Sequence, residues 1–203
     1  MLQARDPRDL WPELVGWVDV GSNEPVHRVR TPAGDLGYVR PDDGSAPLLE
    51  QLRTQGIVPA PTVLDIRDGW LLLGALPGIP LHDPLWRARP REAAAIAGDA
   101  LLRLIEADVS HGDMCLPNIL GDPDTATLSG IVDWRYAGQF DHEIDVASTV
   151  WSCDYNGYPP KVALAILKGC GWKPVSDAEV ARLSAVWTEL AGQAESPPRD
   201  IPK

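Results

Sequence analysis

His111-Gly112-Asp113-Met114-Cys115-Leu116-Pro117-Asn118, followed by Ile131-Val132-Asp133-Trp134, is the stretch on which the reading of this chain turns. It sets a histidine, an aspartate and an asparagine at fixed intervals, and then a second aspartate at the end of an apolar run. Each residue alone has an ordinary reading: Asp and Asn cap helices and shape turns, and a lone His is usually packed or hydrogen-bonded. Their order and spacing together are specific.

The pattern is H-x-D-x-x-x-x-N, then a strand ending in Asp, which is the arrangement of a catalytic loop for phosphoryl transfer. That chemistry needs a carboxylate to orient the attacking hydroxyl and accept its proton, and oxygen ligands to hold Mg²⁺ against the phosphates. Asp113 suits the first role. Asn118 and Asp133 suit the second.

Working outward, the residues before Pro77 read as short strands broken by turns. VHRVR (26–30) and LGYVR (36–40) flank Pro32-Ala33-Gly34-Asp35, and VLDIR (63–67) and WLLLG (70–74) flank Asp68-Gly69, so two hairpins are expected. Leu48, Leu49 and Leu52 before Gly56 predict one short helix between them. Pro and Gly make 77–90 a connector. After Pro90, apolar residues from Ala93 to Ile105 recur at helical spacing; further helices are expected around 142–153 and 160–169, and Ser176-Asp177-Ala178-Glu179 opens a last one to about Ala194. Two regions follow, 1–76 and 77–203, in an α+β chain.

The composition narrows the partners. Eighteen basic against twenty-nine acidic side chains leave a formal charge of −11, which repels nucleic acid and anionic membranes and attracts cationic small molecules. No run of about 18 apolar residues predicts a membrane span, and Arg5, Asp6, Arg8, Asp9 and Glu13 leave no secretory apolar core near the start. A cytoplasmic protein is expected. Cys115, Cys153 and Cys170 contain no CxxC pair and are read as reduced thiols. The eight tryptophans, beside a single Phe, are read as core bulk.

With its HGDxxxxN loop, the strand ending at Asp133 and the run Asp141-His142-Glu143-Ile144-Asp145-Val146-Ala147, the sequence resembles the aminoglycoside phosphotransferase family, and HGDMCLPN looks most like its 3′-phosphotransferase branch. The resemblance implies a reduced two-lobed protein-kinase-like fold: a small antiparallel-sheet N-lobe, a helical C-lobe and a nucleotide in the cleft between. It implies ATP or GTP with Mg²⁺, Asp113 as the base, and His111, Asp141 and Asp145 as bracing residues. Gly21-Ser22-Asn23 is similar to the loop that covers the nucleotide phosphates, and Ala75 and Leu76 resemble a hinge offering backbone groups to the base. The acceptor implied is an aminoglycoside or a similar cationic, polyhydroxylated small molecule.

The sequence departs from that pattern in three places. Arg40 stands where the family's phosphate-binding lysine falls, and Glu50 is the expected carboxylate partner for it, although the two cations are not interchangeable. The chain passes from one helix directly into the catalytic loop, without the inserted helices that wall the family's acceptor site. The family's aromatic-acidic C-terminus is not recognisable, and Glu179 and Glu189 on the last helix are expected to face solvent. These departures keep two other readings in view: a nucleotide-binding scaffold without turnover, and a kinase for a cellular metabolite.

Overall fold

The computed structural model describes residues 5–21 and 24–194. Ser22 and Asn23, and the proline-rich tail from 195, lie outside the described residues. The chain divides into two compact units, Met1–Pro77 and Gly78–Lys203.

The first unit is a five-stranded antiparallel sheet with a short helix α1 (Pro7–Leu10) and a longer α2 (Ala46–Gln55). Its strands are β1 (Val15–Asp19), β2 (His27–Arg30), β3 (Leu36–Pro41), β4 (Val63–Arg67) and β5 (Trp70–Gly74), in spatial order β1-β2-β3-β5-β4. Asp68 and Gly69 both take positive φ, 45° and 80°. This is what a two-residue hairpin needs to match the twist of its strands, and it sets Arg67 opposite Trp70. Alternation along the strands then sends Val29, Val39, Trp70 and Leu72 to one face, where they bury with Trp11 and Leu14. The Trp11 indole N–H donates to Asp65 Oδ2 (3.0 Å), and the Arg67 guanidinium lies over the same ring, tying the entry segment to β4.

The second unit holds a three-stranded sheet, β6 (Ile79–Pro80), β7 (Ile119–Asp122) and β8 (Thr127–Ile131), with helices α3 (Pro84–Arg87), α4 (Pro90–Glu106), α5 (His142–Tyr155), α6 (Lys161–Gly169) and α7 (Asp177–Ala194). Ala93, Ile96, Ala97, Ala100, Leu101 and Leu104 make the buried stripe of α4. Helix α5 buries Asp145, Ser148, Thr149 and Ser152 along one side, and these polar residues serve the loop at 111–118.

The segment expected to be a plain connector contains two small elements. Ile79 and Pro80 pair with β7 at a sheet edge, a position where proline's missing N–H does no harm. Asp83 caps α3 by accepting the Leu85 N–H, with Pro84 in the first turn. Trp86 of that helix is fully buried, as are Trp11 and Trp134. Glu179 departs from expectation: it is 8% exposed and holds Arg182 and the Trp172 indole N–H, because its place in the first turn of α7 faces those donors and not solvent.

Candidate active site

The loop from His111 to Asn118 is clamped from two directions. From α5, the buried carboxylate of Asp145 accepts the backbone N–H of His111 (2.9 Å) on one oxygen and that of Gly112 (2.6 Å) on the other. The Thr149 hydroxyl donates to the Met114 carbonyl (2.7 Å), and the Leu116 N–H donates to Ser152 Oγ (3.0 Å). One helix face therefore fixes the loop at four residues, His111, Gly112, Met114 and Leu116. Burial pushes the Asp145 carboxyl up, against the opposing pull of the two amides and of His111.

From the β7–β8 side, His111 Nε2 contacts the Val132 carbonyl (2.9 Å), while Nδ1 receives the Asp113 N–H (3.2 Å). An Nδ1 that accepts and an Nε2 that faces a carbonyl assign the neutral Nε2–H tautomer from the network. The ring also packs edge-on against Trp134 (4.6 Å between centroids). His111 is 0% exposed, so it braces the loop from inside.

Gly112 is required twice over. Its φ is 84°, and a Cβ there would lie 2.5 Å from the Tyr136 carbonyl oxygen. The loop turns at this point because only glycine fits both constraints.

These clamps set the three oxygen-bearing residues. Asp113 Oδ1 is buried and has no hydrogen-bond partner among the described residues. The Asn118 side-chain N–H donates to the Asp113 carbonyl (2.9 Å), and the Val132 N–H donates to the Asn118 carbonyl (3.0 Å). Asp133 follows directly, at φ 65°, beyond the end of β8 and not within it. Its carboxylate is engaged by Arg135 through Nε (2.8 Å) and Nη2 (3.3 Å). A carboxylate and an amide oxygen are hard donors suited to Mg²⁺, so the residues present fit that ion. Burial, with the Asp113 charge beside it, pushes the Cys115 thiol far above the ordinary range, so it stays protonated and unreactive.

The residues expected to meet a nucleotide fall in the first unit. Gly21 lies in the β1–β2 loop, where its N–H donates to the Val26 carbonyl (3.2 Å) and a Cβ would be 1.9 Å from the Glu24 carbonyl oxygen. Ser22 and Asn23 lie outside the described residues. The Ala75 N–H donates to the Leu36 carbonyl (3.1 Å), so of that residue's backbone groups only the carbonyl is left for a base. Leu76 is next to it.

The expected pairing of Arg40 with Glu50 is not formed. Glu50 sits on the exposed side of α2 and pairs with Arg53 one turn on (2.8 Å). Arg40 is 8% exposed and binds Asp43 and Ser45 in the turn before the helix. With only two residues between cation and carboxylate, the turn closes on Arg40 before the helix begins.

Residues 108–183 match the phosphotransferase enzyme family. No curated protein sequence matches the chain. Among solved structures, aminoglycoside-3′-phosphotransferase of type VIII is similar at 21% identity over 87% of this chain and 94% of that one, with a TM-score of 0.70. An aminoglycoside phosphotransferase from Streptomyces rimosus, in complex with ADP and streptomycin, is similar at 20% identity over 87% and 92%, with a TM-score of 0.59. A macrolide 2′-phosphotransferase from Brachybacterium faecium is similar at 16% over 95% and 98%, with a TM-score of 0.55. Residues 108–183 are thus similar to the phosphotransferase enzyme family, and the chain has the kinase-like fold of the aminoglycoside phosphotransferases.

Proposed function

We propose that the protein transfers the γ-phosphoryl group of ATP or GTP to a hydroxyl of a small, cationic, polyhydroxylated acceptor of the aminoglycoside kind, in the cytoplasm. The observation that carries the reading is the buried, unpartnered Oδ1 of Asp113 in a loop whose other polar groups are tied down. A buried carboxylate oxygen without a donor is costly, and such costs are retained where a ligand donor completes the site.

In this reading Asp113 accepts a hydrogen bond from the acceptor hydroxyl, orients it toward the phosphorus and takes its proton as the new P–O bond forms. Asn118 and Asp133 would hold Mg²⁺. Bound there, the ion would neutralise charge on the phosphates. His111 and Asp145 hold the loop and touch no substrate. Gly21, Arg40, Ala75 and Leu76 are the nucleotide-side residues, joined by Ser22 and Asn23; Glu50 drops from the set.

The acidic balance of the chain favours a cationic acceptor. The relative with streptomycin bound favours an aminoglycoside, and the macrolide 2′-phosphotransferase makes macrolides the natural comparison arm.

The test is release of nucleoside diphosphate from ATP and GTP with Mg²⁺, against panels of aminoglycosides and macrolides, with Asp113→Ala as control. Acceptor-dependent turnover in the parent that falls by about 10²–10⁴-fold in the variant is the expected result. Equal turnover in both proteins refutes the role of Asp113. Nucleotide binding without turnover for any acceptor favours a non-catalytic scaffold.

A further inference from the structure

In the first unit, one buried cation has a hydrogen-bonded setting of its own. Arg40 lies on β3, opposite Leu71 of β5, and its side chain is nearly enclosed. Nη1 donates to Asp43 Oδ2 (2.5 Å), while Nη2 donates to Asp43 Oδ1 (3.3 Å) and to Ser45 Oγ (2.9 Å).

The turn that presents these acceptors is itself braced. The Ser45 N–H donates to Asp43 Oδ1 (3.1 Å), and the Gly44 N–H donates to Asp42 Oδ1 (2.9 Å). Asp42 is anchored in turn by its own N–H to the Gly69 carbonyl (2.8 Å). Burial alone would raise the Asp43 carboxyl; the hydrogen bonds and charge of Arg40, with the Ser45 bonds, outweigh it and hold the group below its ordinary value.

A planar guanidinium offers five N–H donors in a fixed fork. Asp43 and Ser45 take three of them, on the two Nη atoms. The Nε–H and one Nη1–H have no hydrogen bond to another described residue, and their direction is set by the two-point grip on the other side. That geometry suits an anion better than a free side chain would, because the orientation is fixed before binding.

We infer that Asp43, supported by Ser45, is the positioning residue that aims Arg40 at the phosphates of the bound nucleotide, replacing a carboxylate on the following helix. The inference rests on the phosphotransferase reading above. It explains why Arg and not Lys stands at position 40: a guanidinium can be held through both Nη atoms and still keep its Nε–H for a phosphate oxygen, whereas an ammonium is a point charge without that division. It also frees Glu50 to form its exposed pair with Arg53.

The test is titration of the full-length protein with Mg²⁺-ATP, Mg²⁺-GTP and adenosine, with thermal unfolding followed in parallel for every variant. Asp43→Asn and Arg40→Lys are each expected to weaken triphosphate binding by about tenfold, and Ser45→Ala by less. Adenosine, which lacks phosphate, is expected to bind all of them as it binds the parent. The Asp43→Asn/Arg40→Lys double variant is expected to lose little more than either single one, since both act through one contact. Glu50→Gln is expected to match the parent. If Asp43→Asn lowers the unfolding temperature but leaves triphosphate affinity intact, the pair is only structural and the inference is wrong. If the parent binds no triphosphate, the phosphotransferase reading fails first and takes this one with it.

Discussion

Arg135 holds Asp133 by two nitrogens, Nε at 2.8 Å and Nη2 at 3.3 Å, across the single intervening residue Trp134. The guanidinium occupies the carboxylate that is proposed to receive Mg²⁺, so the ion and the arginine compete for it. Both side chains are partly exposed, and such pairs are worth ~0.2–1 kcal/mol. Arg135→Gln is therefore expected to lower the Mg²⁺ concentration for half-maximal activity by roughly 1.4- to 5-fold. A Mg²⁺ titration at saturating nucleotide checks it; an increase would mean that the arginine assists the metal.

Gly112→Ala should be poorly tolerated although the change is a single methyl group. The new Cβ meets the Tyr136 carbonyl and its own left-handed backbone at once. A loss of about 1–3 kcal/mol is expected from the backbone strain alone. Chemical denaturation of the variant measures it, and a near-parental midpoint would show that the 111–113 turn can relax.

Asp145→Ala removes the acceptor of two buried amides, those of His111 and Gly112. Each donor left unpaired costs about 1–3 kcal/mol, so the variant should be strongly destabilised and inactive. Asp145→Asn keeps one acceptor and is expected to fall between it and the parent. Paired denaturation curves and turnover rates rank the three proteins.

The pH dependence of stability should carry a mark from Glu179. Hydrogen bonds from Arg182, then from the Trp172 indole, hold its carboxyl down at about 2 from an ordinary 4.5. A carboxyl lowered on folding contributes stability that is complete above its unfolded value and is lost as pH falls toward its folded value. The unfolding temperature should thus drop between pH 4.5 and about 2, and Glu179→Gln should flatten that part of the profile. A profile identical in parent and variant would remove Glu179 from the acid response.

The elements most legible in the sequence were those fixed by local chemistry. The Asp68-Gly69 turn and the alternating runs beside it give both strands of the β4–β5 hairpin, and the apolar stripe after Pro90 gives α4. The loop around Asp113 was legible because spacing alone carries it. Less was visible where a partner distant in sequence decides the outcome. Nothing local marks Ser152 as the acceptor for the Leu116 N–H, or Thr149 as the donor to Met114. The setting of Arg40 was misread for the opposite reason. A resemblance pointed to a helix residue ten positions on, while Asp43, three positions on and followed by Gly44-Ser45, had the turn chemistry to close first. Arg182 likewise draws Glu179 into a network that an amphipathic pattern does not reveal.

The pairing of β7 with β8 has a meaning for how this protein can change over generations. Ile119 faces Ile131, and Asn118 and Asp133 sit just outside that paired end, while the connecting turn at 123–126 lies at the other. Residues gained or lost in the turn leave the spacing of the two oxygen donors untouched. One residue gained inside either strand must be taken up as a bulge, as Ser129 is between the Leu120 and Gly121 pairings, or it reverses the facing of everything beyond it. The hairpin thus has a permissive end and a costly one, and lineages of this chain should record insertions mainly at the first.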